Sequence, residues 1–132
     1  MYLKVNLDIR SSEQEKNDML KLIETICDVA DKARHRGLLS IMDEYENIDN
    51  ALLKSALEFT LMGFAPEDII ENFNYLIFSE NFDGRQLLER CIIYEAALRI
   101  YSGCKKEEIK LRLLSMLGEK WVYEELFPVI KA

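Results

Sequence analysis

Apolar and polar positions alternate through residues 2–10, with Leu3, Val5, Leu7 and Ile9 on one side and Lys4, Asn6, Asp8 and Arg10 on the other. A period of two marks a half-buried strand, and no second run of this kind occurs in the chain. The arm has two readings. It pairs with a copy of itself or with a partner, most simply as an antiparallel homodimer through Leu3, Val5, Leu7 and Ile9, or it is a frayed terminus packed on helices.

From residue 12 the period changes to three-four. Ser12-Glu13-Gln14-Glu15 fits a capping box. Met19, Leu22, Ile23, Ile26, Cys27, Ala30 and Ala33 then form one apolar stripe. Lys32, Arg34, His35 and Arg36 close this helix, where positive charge suits the helix dipole, and Gly37 takes the position after it. Residues 38–46 suit a short helix with Leu38, Leu39, Ile41 and Met42 inward and Asp43, Glu44 and Glu46 outward. Asp49 or Asn50 is placed to cap the next helix, 51–62, which Gly63 stops.

Pro66 opens a fourth helix with Glu67 and Asp68 in its first turn and Ile69, Ile70, Phe73, Leu76 and Ile77 as its apolar face. Ser79 to Gly84 reads as a loop, 85–102 as a helix stopped by Gly103, and 105–117 as a helix stopped by Gly118. A short tail element follows, with Trp121, Val122, Leu126 and Phe127 able to cover the core and Pro128 ending it. Laying Gly63 on Gly103 aligns ALEFTLMG with AALRIYSG, and Ile69, Phe73 and Leu76 with Ile109, Leu113 and Met116. Two helix–Gly–helix units are therefore expected to superpose as related hairpins. The fold expected is an all-α compact bundle of six to seven helices. It forms one domain over 1–132: an arm (1–10), a first helical group (12–78) and a C-terminal group (85–127).

Composition narrows the function. Of 132 residues, 49% are apolar and 31% charged, an ordinary globular balance. No apolar run is long enough to span a membrane and no secretory signal is apparent at the N-terminus, so the expected location is cytoplasmic. The net charge of −7 is unevenly placed: residues 37–80 hold one base, Lys54, against nine acids, while the segments on either side are near balance. That excludes a nucleic-acid face, which needs clustered Lys and Arg, and suits either a basic protein partner or a solvated acidic surface. Three cysteines without CxxC spacing and a single histidine build no zinc cluster, and no metal or cofactor is expected. The glycines are helix stops and no catalytic motif is present; Cys27 and His35, on successive turns, are the one nucleophile–base pairing to consider. No catalytic residues are assigned and no enzyme activity is expected.

The change of sign at Gly37 is the feature to weigh for binding. Lys32, Arg34 and Arg36 end one helix and Asp43, Glu44 and Glu46 line the next. Such a pair of surfaces specifies a partner by charge, or else it is dipole compensation beside a solvated face. KARHRGLLSIMDE followed by LLKSALEFTLMGFAPEDI, and later RCIIYEAALRIYSGCKKEEIKLRLLSML, resembles the cytoplasmic region of the MotA-type stator subunit of the bacterial flagellar motor. The likeness covers about residues 26–77 and 90–117 and lacks the family's membrane-spanning helices. It implies a stator-like accessory peripheral to the motor, whose partner is the rotor switch protein. The family's basic contact falls on Arg34, while its acidic contact falls on Met42 with Asp43 beside it. The expected partner-binding set is Arg34, Arg36, Asp43 and Glu44. The alternative is a stand-alone helical adaptor or regulator without a motor role.

Overall fold

A computed structural model describes residues 10–127. The arm residues Leu3, Val5, Leu7 and Ile9 lie outside them, as does Pro128. Helix α1 (Glu13–Arg36) begins at the expected capping box: Ser12 Oγ accepts from the Glu15 N–H and Glu15 Oε1 accepts from the Ser12 N–H at 2.9 Å. A 3-10 segment (Leu38–Asn47) leads to α2 (Ala51–Leu61), α3 (Pro66–Phe78), α4 (Gly84–Tyr101), α5 (Lys106–Leu117) and α6 (Glu119–Leu126). Asn50 caps α2 by accepting the Leu53 N–H at 3.0 Å. No strand occurs among the described residues.

Helix α4 is the axis. Cys91 through Leu98 are all buried, apolar except for Glu95, and α1, α2, α3 and α5 pack on this helix. Contacts between helix ends give the directions. Asn50 meets Glu89 and Phe64 meets Tyr101, so α2 runs parallel to α4. Asp18 meets Arg85 and Arg34 meets Gly103, so α1 does too. Lys106 lies against Asp31, and Gly118 beside Lys16, so α5 returns antiparallel to α1.

The 3-10 segment carries the chain from the end of α1 back to the start of α2. Its ten residues rise about 2.0 Å each and cover about 20 Å, farther than the same number of α-helical residues. Its period of three also corrects the expected orientation. Leu38, Ile41 and Glu44 share one face: Leu38 is half-buried and the other two are buried. Leu39 (71% exposed) and Met42 (58%) point outward instead of inward.

Two further corrections concern burial. Leu76, expected inside, is 38% exposed, because the inward stripe of α3 is Ile69, Phe73 and Ile77 at intervals of four. Phe127 is likewise exposed, and Trp121 covers the core, its Nε1 donating to Asn17 Oδ1 at 2.9 Å.

Candidate functional site

Three glycine turns gather at one end of the bundle. Gly37 follows α1; Arg34 Nη1 donates to the Gly103 carbonyl at 2.8 Å; and Tyr101 Oη donates to the Phe64 carbonyl, next to Gly63, at 3.0 Å. Gly63 and Gly103 sit at φ 82° and 76°, the left-handed region where a Cβ is strained. Each turn leaves carbonyls without helical partners, and at this end side chains from neighbouring helices supply the donors.

The four residues expected to bind a partner are not presented as one exposed set. Glu44 is turned inward by the 3-10 period and accepts from Lys32 Nζ at 2.8 Å. That bonded ammonium holds the Glu44 carboxyl below the usual carboxylate value despite the opposing effect of burial, with Asn47 and the Arg36 charge acting in the same direction. Its charge is spent tying the 3-10 segment to α1. Arg34 is exposed but its guanidinium is anchored on Gly103. Arg36 and Asp43 remain, both exposed, with Leu39 and Met42 beside them. The surface at Gly37 is thus an apolar pair with Arg36 before it in the chain and the acids Asp43 and Glu46 after it. A period-three reading of residues 38–47 would have found it.

Cys27 and His35 form no dyad. The Cys27 thiol is buried and directed at the Lys106 carbonyl at 3.9 Å, and burial raises its pKa, which suppresses the thiolate. His35 Nδ1 lies on the Asp31 carbonyl at 2.8 Å. Burial lifts the Cys91 thiol to about 11, with Glu95 adding to the rise.

Two concavities lie elsewhere. A groove of about 750 Å³ runs between α1, α5 and α6, floored by Leu20, Ile23, Cys27 and Leu114. A cleft of about 550 Å³ on α5 is lined by Arg99, Cys104 and Arg112. Its cations are already engaged: Glu95 Oε1 takes Arg99 Nε at 2.8 Å and lies 3.6 Å from Arg112 Nη1. Burial pulls the Arg99 pKa down, but the bond to Glu95 and the neighbouring Cys104 outweigh it and hold the guanidinium above its ordinary value.

A second exposed apolar surface is on α3. Glu71, Tyr75 and Phe78, at i, i+4 and i+7, are all exposed, and Tyr75 Oη donates to Glu71 Oε1 at 2.7 Å. That bond to an anion raises the Tyr75 pKa. Comparison of the chain with protein-family models, with curated proteins and with solved structures gives no match.

Proposed function

We propose that the chain is a non-catalytic protein–protein interaction module that engages a partner through the surface at Gly37. The observation that supports this reading is the exposure of Leu39 and Met42 between Arg36 and Asp43. Apolar centres with a charged rim are the usual anatomy of a recognition patch. The stator resemblance makes the rotor switch protein of the flagellar motor the first partner to test, with the chain as a motor accessory.

A second reading, a free-standing helical adaptor or regulator, is favoured by the anchoring of Arg34 on Gly103 and of Glu44 on Lys32. Those two contacts withdraw half of the charges on which rotor pairing would rely. One substitution separates the readings. Met42→Glu restores an acid at the family's acidic position. A stator-like contact with the switch protein tightens or holds under this change, measured by calorimetry at low salt. An adaptor contact that buries Met42 in an apolar pocket weakens about tenfold or more, the size of a lost anchor. Absence of binding to the switch protein by wild type and Met42→Glu alike removes the motor reading.

A further inference from the structure

Helix α3 is an edge element. Among the described elements α4 is its one extensive neighbour, and α2 meets it at the edge-to-face pair Phe59–Phe73, 5.5 Å between centroids. Its inward stripe of Ile69, Phe73 and Ile77 is fully used, Phe73 stacking on Tyr94 at 4.6 Å. Ile70 and Asn74 flank that stripe half-buried, and the outward face is open: Glu67, Asp68 and Glu71 at the N-terminal half, Tyr75 (63% exposed), Leu76 and Phe78 (53%) at the C-terminal half. Large apolar side chains on the outer surface of an edge helix are an uncompensated exposure in the free protein.

Charge identifies what covers them. From Ser55 to Gly84 there are six acids (Glu58, Glu67, Asp68, Glu71, Glu80, Asp83) and no Lys, Arg or His. Nucleic acid and anionic lipid are repelled by such a surface. A second copy pairing through α3 supplies no cation: a two-fold along the helix sets the same acids against each other, and a two-fold across it sets them against Tyr75 and Phe78. The complementary occupant presents cations toward the N-terminal half of α3 and apolar side chains toward its C-terminal half.

We propose that the outward face of α3 docks a basic amphipathic helix of a partner protein. Tyr75 and Phe78 anchor its apolar residues, and Glu67, Asp68 and Glu71 meet its Lys or Arg residues. The proposal shares with the preceding section the idea of an interaction module, but it uses a different face and does not depend on the switch protein.

The test uses the full chain and a fluorescent Lys/Leu amphipathic helical peptide of about 14 residues, long enough to follow the roughly 20 Å of α3. The expected result is binding that Tyr75→Ser/Phe78→Ser weakens about tenfold and Glu67→Lys/Glu71→Lys weakens at least as much. Asp43→Lys and Leu39→Ser, on the Gly37 surface, leave affinity unchanged. Circular dichroism of each variant confirms that the bundle is intact. Three outcomes overturn the proposal. In the first, the peptide fails to bind at low salt. In the second, it binds equally well to the Tyr75→Ser/Phe78→Ser variant, which reports diffuse attraction to an acidic protein or use of the groove between α1 and α5. In the third, sedimentation shows a wild-type dimer that this variant dissociates, which assigns the face to a second copy. None of these bears on the Met42→Glu measurement, so the two surfaces stand or fall separately.

Discussion

Helix α2 stops at Leu61, turns through Gly63 and restarts at Pro66; helix α4 stops at Tyr101, turns through Gly103 and restarts at Lys106. Both pairs begin the second helix with two acids, Glu67-Asp68 and Glu107-Glu108, placed on the positive end of the dipole. Beyond these local likenesses the two units diverge. Helices α4 and α5 pack on each other and on α1, and α6 covers α5, whereas α2 and α3 each lean on α4 and touch one another little. The second unit leaves Leu111 as its one large exposed hydrophobe, while the first exposes Met62, Phe64, Tyr75, Leu76 and Phe78. Where a helix ends depends on two or three residues at its terminus. Where it sits in the bundle depends on how much of its circumference is apolar. A unit with apolar residues to spare on its outer face is the one suited to meet something else.

The largest effects expected lie in the cores of the two units. Phe73 and Leu113 occupy the same register after their glycines and both are fully buried. Phe73→Ala should cost about 3–5 kcal/mol and Leu113→Ala about 2–5 kcal/mol in urea unfolding. The sharper measurement is amide hydrogen exchange. Phe73→Ala should release α3 while α5 stays protected, because α3 is held chiefly to α4 and otherwise touches α2 through Phe73 itself. Leu113→Ala should raise exchange throughout, because α5 is gripped by α1, α4 and α6. Equal, global loosening by both would erase the distinction between a peripheral and a central hairpin.

Next in size are the glycines. Neither Gly63 nor Gly103 has any atom within 4 Å of where a Cβ would stand, so replacement meets no steric neighbour. The penalty comes from the left-handed backbone alone, and Gly63→Ala and Gly103→Ala should each lose about 1–2 kcal/mol by thermal or urea unfolding. Matching values would establish that the stops are chemically equivalent in spite of different surroundings. A much larger loss at Gly103 would mean that the Arg34 bond to its carbonyl depends on that exact turn.

These comparisons show what was legible in the chain. Helix boundaries followed from Ser12, Asn50, Pro66 and the glycines, since capping and left-handed φ are local demands. The all-helical class followed from the three-four spacing of positions such as Met19, Ile23 and Ile26. Two matters were not legible. The run 38–47 scans equally as an α-helix or a 3-10 helix, and the choice of period sends Glu44 in and Met42 out. Leu76 scans as core, but α4, the one extensive neighbour of α3, leaves room for only one fully buried stripe. Tertiary placement, which a pattern along one helix does not contain, decided both.

The 3-10 segment that feeds the first unit has no counterpart before the second, and its anchor is titratable. Glu44 has a folded-state pKa lowered from 4.5, chiefly by the bonded Lys32, so the native state binds its proton less readily than the unfolded chain. Its stabilising contribution is fully present above the unfolded value and is lost as pH falls through the lower folded value. Lys32→Met should therefore lower stability near neutral pH by a small amount and flatten the acid limb of the stability profile below about 4.5. Carbon-detected titration should find the Glu44 midpoint rising back toward 4.5 in the variant. A midpoint already at 4.5 in wild type would remove the ion pair as the reason Glu44 faces inward.

The smallest expected change in stability is at the outer face of α3, and its smallness is what makes it informative. Tyr75 and Phe78 point away from the stripe of Ile69, Phe73 and Ile77, and their exposure leaves little apolar area to lose. Replacing each by Ser should shift unfolding by no more than about 0.5 kcal/mol, the usual range for surface positions. Losing the Tyr75 hydroxyl also removes its bond to Glu71, an exposed contact within one helix that adds a few tenths of a kcal/mol at most. Leu111→Ser provides the matched control on α5, where the exposed side chain stands alone among Glu107, Glu108 and Arg112 and should be equally silent. If the α3 pair instead destabilises by more than about 1 kcal/mol while Leu111→Ser does not, something already covers Tyr75 and Phe78 in solution. A dependence of that loss on protein concentration would assign the cover to a second copy, and its independence would assign it to another part of the same chain. Silence at both sites leaves α3 as an open face whose aromatic residues are free for recognition rather than engaged in folding.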